Sequence, residues 1–343
     1  MRIREKPKIV CTLGTTTDDK EVLRKMVRYG MNCARFNTAY ASIEEYSRRI
    51  ADLRSIARVP IMMDLKGPQI RLKADYNARV QEGDVITIGF GREPFHFTKD
   101  FYDSLELEDK VLFENGTIET TVCKKNHFNK RVHLAVEKAG DGNFHKDMGV
   151  NIPGRYIDVE RLSKKDKQVI DFSIKNNVEY LALSFVRDRS DVANLYEHIR
   201  RRTAELKGTN YSNEIGIVAK IEDKNGIDNL ESILQYANSK KMNFSIMIAR
   251  GDMHVELPIH KIPMYQKNII GRCKEYGVKV VTATGFLESM TKQDKPTRAE
   301  VSDAANAVLD GSDALMLSGE TSNSEYPAEA VQMLSTIMKE YKR

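Results

Sequence analysis

Eight short apolar runs recur along the chain, each flanked by polar residues or glycine. They are 8–13 (KIVCTL), 31–36 (MNCARF), 60–64 (PIMMD), 179–185 (EYLALSF), 215–221 (IGIVAKI), 244–249 (FSIMIA), 278–284 (VKVVTAT) and 313–318 (DALMLS). Each is too short for a helix. Near-continuous apolarity of this kind predicts strands buried on both faces of a parallel sheet. Between the runs, segments 18–29, 42–56, 163–175, 191–206, 225–237, 262–276, 297–309 and 328–341 repeat their apolar residues at helical period. Eight strand–helix alternations predict an α/β protein, a closed (β/α)8 TIM barrel, with a doubly wound open sheet as the second choice.

One interval breaks the rhythm. Between the third and fourth runs the chain is far longer than one strand–helix unit needs. Segments 80–85, 111–113, 118–122 and 132–136 read there as strands, with turn signals at Asn115-Gly116 and Asp141-Gly142. The expected organisation is barrel strands 1–3 in residues 1–71, an inserted β-rich domain in 72–152, and barrel strands 4–8 in 153–343. An insertion after a barrel strand opens on the C-terminal face, where barrel active sites lie, so a lid is expected.

Composition adds limits. A net charge of +5 over 343 residues is too mild for a nucleic-acid partner. Cys11, Cys33, Cys123 and Cys273 are far apart and without a CxxC pair. They read as reduced, buried thiols of a cytoplasmic protein rather than zinc ligands or disulfides. No apolar run reaches membrane-spanning length, so no membrane partner is expected.

The strand ends carry the chemistry. They hold Arg35 and Asn37, Asp64 and Lys66, Ser184 and Arg187, Lys220 and Glu222, Arg250 and Asp252, Thr284, and Ser318 and Glu320. Singly, Lys220 reads as a surface lysine and Glu222-Asp223 as an acidic helix start. Together, basic groups beside carboxylates at one barrel mouth suit a phosphorylated acid bridged by a divalent metal. Buried charges without such a role are costly.

The motifs carrying that chemistry resemble the pyruvate kinase family along nearly the whole chain. They include KIVCTLG, GMNCARFN (30–37), DLKGPQIR (64–71), MGVNIPG (148–154), LSKKD (162–166), SFVR (184–187), AKIED (219–223), IARGDMHVELP (248–258), and the run from ATGFLESM through YPAEAV (283–331). The resemblance implies magnesium-dependent transfer of the phosphoryl group of phosphoenolpyruvate to ADP, giving ATP and, after protonation of the enolate, pyruvate. It implies that Lys220 and Arg35 contact the phosphoryl group and that Thr284 helps deliver the proton. Gly251 and Asp252 would receive the substrate carboxylate through their amides, with Arg250 and Ser184 also at the substrate. Glu222 and Asp252 would hold magnesium or manganese. Asn37 and Asp64 would belong to a monovalent-cation site, and Arg71, with Asn37, would face the nucleotide.

The departures fall on one side. Ala39 replaces a hydroxyl ligand of the potassium site, Tyr40 a histidine and Gln69 a glutamate. Thr15 stands where the family has proline, Met148 and Asn323 where it has lysine, and Gly285 where it has glutamine. Glu114-Asn115 stands where two aspartates are common. The phosphoenolpyruvate and metal half thus looks intact while the ADP and potassium half is altered. The family's C-terminal domain has no counterpart in these residues. Potassium independence, no sugar-phosphate activation and an oligomeric state, homo-oligomeric or not, that need not follow the family are the expectations. Two alternatives stay open: the same half-site with another phosphoryl acceptor, or acting on oxaloacetate or pyruvate, and a non-catalytic binding protein.

Overall fold

The computed structural model describes residues 7–341 apart from 40, 68–69, 92, 115, 156, 158–159 and 209–213. Tyr40, Gln69 and Asn115 therefore lie outside the described residues.

Eight parallel strands close into a barrel: Lys8–Thr12, Met31–Asn37, Ile61–Leu65, Tyr180–Leu183, Gly216–Ile221, Phe244–Ala249, Lys279–Ala283 and Ala314–Leu317. All eight coincide with the apolar runs. Closure comes from the first strand pairing with the last, Lys8 opposite Ala314 through Cys11 opposite Leu317. Alternate side chains feed two cores. Val10, Cys33, Met62, Val218, Met247 and Met316 fill the barrel interior. Ile9, Cys11, Met63 and Ile217 pack outward under the helices. Both faces are buried, which is why the runs show no polar alternation.

The helices start where the sequence supplies caps. Ser163 and Asp166 form a capping box, as do Thr297 and Glu300. The expected helix 225–237 is two pieces, Lys224–Asp228 and Leu230–Ser239. The break falls at Asn229, whose side-chain amide donates to the Arg187 carbonyl at 3.0 Å. Short helices Arg250–Glu256 and Gly319–Ser322, directly after strands six and eight, were too brief to show a period.

Between the third and fourth barrel strands lies a second closed sheet of seven strands, mostly antiparallel. It begins at Ile70, and its core of Phe95, Phe97, Phe113, Phe144 and aliphatic residues extends to Ile157. The expected strand 80–85 is instead a turn between Ala78–Arg79 and Val85–Gly89. Gly83 turns the chain there with φ +91°. Cys11, Cys33 and Cys273 are buried, but Cys123 is exposed on this sheet, contrary to expectation, because it points from the outer face of its strand. Among the described residues no helix is long and apolar enough to cross a membrane.

Candidate active site

The C-terminal ends of the strands bring most of the expected residues together. Lys220, on the fifth strand, is buried and its ammonium has three oxygen partners. These are Glu222 Oε1 at 2.8 Å, Ser184 Oγ at 2.9 Å and Asp64 Oδ1 at 3.4 Å. Asp64 accepts from Arg35 Nε at 2.7 Å, and Arg35 Nη1 donates to Thr12 Oγ1 at 2.8 Å. Glu222, 1% exposed, accepts from the Phe185 amide at 2.5 Å.

The charges decide the protonation states. Burial pushes the Lys220 ammonium toward neutrality, but Asp64, Glu222 and Asp252 overcome it and hold its pKa above the ordinary lysine value. Burial likewise works against the Asp64 carboxylate, and Lys220 and Arg35 overcome it, holding its pKa below the usual range. Glu222 is the exception. Burial, with Asp252 nearby, pushes it to about 8 in spite of Lys220.

That imbalance bears on a divalent metal. Among the described residues no cluster of three acidic, histidine or cysteine ligands exists. Magnesium binds through one or two carboxylates and completes its shell with water and substrate oxygens. Glu222 and Asp252, two coupled carboxylates at one mouth, fit such a site, since a cation there supplies the charge that burial denies Glu222.

Thr284 ends the seventh strand with φ +78°, a left-handed conformation that a β-branched residue rarely adopts. Arg250 holds it there, donating to the Thr284 carbonyl at 2.6 and 3.2 Å. The same guanidinium pairs with both Asp303 oxygens at 2.8 Å, reaches Gln266 Oε1 at 3.2 Å and stacks on Phe286. Its five N–H groups are thus engaged by protein oxygens, which fixes the backbone at Thr284. Gly251 is fixed by the same geometry: a Cβ there would lie 3.0 Å from Thr284 Cγ2.

Other expected residues are engaged by neighbouring protein groups. Arg187 binds Asp223 at 3.0 Å and the Ile157 carbonyl. Glu320 accepts from the amides of Phe286, Leu287 and Ser318 and caps backbone rather than facing the mouth. Asn37 accepts from the Ala39 amide at 3.1 Å. Arg71 lies on the inserted sheet, donating to the Asp147 carbonyl. Met148, one of the departures, is 2% exposed within the inserted domain's core, and Asn323 is exposed at the end of its short helix.

A cleft of about 610 Å³ opens beside the cluster, lined among others by Thr12, Arg35, Asn37, Gly251, Asp252 and Thr284. Beyond Asn37 the lining continues at its far end with Ala41, Glu45 and Arg49, on the loop and helix that follow the second strand, and it includes Thr15 and Ser322 on either side of the Gly14 crossing. One wall is a seam between the first and last strands. Thr321 Oγ1 donates to the Thr12 carbonyl at 2.8 Å and Thr12 Oγ1 to the Leu317 carbonyl at 3.0 Å. A Cβ on Gly14 would meet the Ser322 carbonyl at 2.4 Å, so only glycine fits that crossing. Thr12, Asp303, Glu45 and Arg49 were missed from sequence. Only Thr12, a strand-end residue, carried a signal that could have found it.

The family model described as "Pyruvate kinase, barrel domain" matches residues 4–331. Curated pyruvate kinases of Staphylococcus aureus are similar: that of strain MRSA252 is 37% identical over 97% of this chain and 56% of its own length. That of strain USA300 gives the same identity and coverage. The chain thus spans about half the length of these relatives. Among solved structures, a pyruvate kinase from Cryptosporidium parvum superposes with a TM-score of 0.90 at 32% identity, over 98% of this chain and 69% of that one.

Proposed function

Because the chain belongs to the pyruvate kinase family, we propose that it catalyses magnesium-dependent phosphoryl transfer from phosphoenolpyruvate to a nucleoside diphosphate such as ADP, giving pyruvate and ATP. One observation carries this reading: a buried, mutually paired set of Lys220, Glu222, Asp64, Arg35 and Ser184 at the barrel mouth. Such a set is costly to fold, and a charged reaction accounts for it.

In this reading Lys220 and Arg35 neutralise the oxygens of the transferring phosphoryl group, so that transfer proceeds by positioning and charge stabilisation. Lys220 exchanges its longest contact, to Asp64, for a phosphoryl oxygen. Glu222 and Asp252 would hold the divalent metal, which supplies Lewis-acid stabilisation of the substrate oxygens when bound. The Gly251 and Asp252 amides receive the substrate carboxylate. Thr284, set beside the substrate's methylene carbon, passes on the solvent proton that turns the enolate into pyruvate. The inserted domain closes over the cleft and excludes water.

Potassium is not required in this reading. Asp64 already faces two cationic side chains, and the Asn37 side-chain oxygen is taken by the Ala39 amide. A second reading, the same half-site with another acceptor, draws on the burial of Met148, which leaves it no approach to a phosphate. Phosphorus NMR of phosphoenolpyruvate with magnesium and the protein, in potassium-free buffer, separates them. ATP formed only when ADP is present supports the kinase. A perturbed substrate signal without ATP supports the other acceptor.

A further inference from the structure

The chemical end of the cleft is accounted for by the reading above; its far end is not. There Glu45 sits in the first turn of helix Ile43–Ile56, with its backbone N–H donating to Ser42 Oγ at 3.3 Å. Arg49, one turn on, places Nη2 3.2 Å from Glu45 Oε1. Arg49 is itself clamped to Asp18 by two hydrogen bonds of 2.8 and 3.1 Å, and Arg48 reaches the same aspartate at 3.3 Å. The Glu45 side chain is 42% exposed, and among the described residues its second oxygen accepts no hydrogen bond. Two arginines balance two carboxylates around Glu45, and Lys165 adds one further ammonium 3.3 Å from the Ala39 and Ala41 carbonyls. This end offers one anchored carboxylate with a face toward the cleft.

We propose that Glu45 reads the base of the acceptor nucleotide and selects guanine, so that GDP is the preferred acceptor. The proposal rests on the phosphoryl-transfer reading and refines its acceptor. With the phosphates at Arg35, as the phosphoryl-transfer reading has them, the base would extend along the same cleft toward Ala41 and Glu45, which also line it. A carboxylate is an acceptor only, and pairs best with two parallel N–H donors. Guanine presents N1–H and an N2–H side by side. Adenine presents one N–H beside the N1 lone pair, which the carboxylate repels. Hypoxanthine presents N1–H alone and falls between them. Arg49 holds the carboxylate in place and is a positioning residue.

The test measures kcat/KM for GDP, IDP and ADP with phosphoenolpyruvate and magnesium, alongside titration calorimetry of the same nucleotides. GDP is expected to exceed ADP by about 10- to 100-fold, with IDP between, as a good bidentate base contact gives. Glu45→Gln replaces the carboxylate by a carboxamide, which both donates to and accepts from adenine. The GDP-to-ADP ratio should then fall at least about 30-fold. The Ser42 cap bond is to the backbone, so this variant keeps the helix start. Equal use of ADP and GDP, or an unchanged ratio in Glu45→Gln, overturns the proposal and leaves phosphoryl transfer standing. Absence of turnover with every nucleotide overturns the phosphoryl-transfer reading instead. Calorimetry then still decides the base, and binding without a guanine preference overturns Glu45's role.

Discussion

At the buried end of the cleft, Lys220, Glu222, Asp64, Arg35 and Ser184 all lie out of solvent, and each charge faces a partner within hydrogen-bond reach. At the far end, Thr15 is exposed, and Glu45 leans on a single arginine. The first region is over-determined: each member is held by others of the set, and removing Lys220 takes away the ion-pair partner of Glu222 in a dry site. The second is adjustable, since a side chain there changes without leaving an unpaired buried neighbour. Thr15, one of the altered family positions, lies in the adjustable region, and none of them is among the five buried residues.

Removing the central cation tests that contrast most severely. Lys220→Met should lower kcat by a factor on the order of 10³ or more. It should also cost about 3–5 kcal/mol of stability, since Asp64 and Glu222 lose their shared partner. Turnover assays and thermal melting together check both. An active, fully stable variant would break the comparison. Glu222→Gln should raise the magnesium concentration for half-maximal activity by about tenfold or more, as a carboxylate ligand is lost. Unchanged magnesium titration would remove Glu222 from the metal site.

Asp303→Ala sharpens the comparison from outside the cluster. Arg250 would lose its paired carboxylate and Thr284 its fixed, left-handed backbone. A fall in kcat of about tenfold, with KM for phosphoenolpyruvate little changed, is expected for a proton-delivery residue set out of line. Recovery in Asp303→Glu would distinguish positioning from general loss of structure.

The smallest effect concerns Glu256, whose side chain meets Asn151 Nδ2 at 3.4 Å where the inserted domain joins the barrel. Burial, with Asp223 nearby, raises its pKa from 4.5 to about 6. A carboxyl raised on folding favours the folded state below its unfolded pKa, and that advantage is lost as pH rises through the folded one. Stability should therefore fall by no more than about 2 kcal/mol between roughly pH 4.5 and 6 on this account. Glu256→Gln should flatten that part of the pH–melting curve. An unaltered slope would assign it to other groups.

The barrel was legible because a strand buried on both faces leaves an apolar run and a strand end leaves a polar residue after it. Lys220, Glu222 and Asp64 could be named for that reason. The partners of Arg250 were not legible, because position gives a charge but not its direction; Asp303, which pairs with it, lies on a later helix. Met148 looked like a lost phosphate contact, yet its side chain fills the inserted domain's core. Glu45 went unnoticed because a carboxylate in a first helical turn is what any amphipathic helix shows. The split at Asn229 depends on a carbonyl from another loop, which no local pattern contains.

The seam at Thr12 and Gly14 also sets a clock. One wall of the cleft joins residues separated by about three hundred positions, as the Thr16–Ser322 and Thr12–Leu317 bonds do. A ribosome adding about 5–20 residues per second delivers the final strand roughly 15 to 60 s after the first. Through that interval the nascent first strand carries an unpaired edge, and this wall of the cleft does not yet exist. A ligand therefore cannot guide early folding of this chain. Its stabilising pull begins only when the ring is shut.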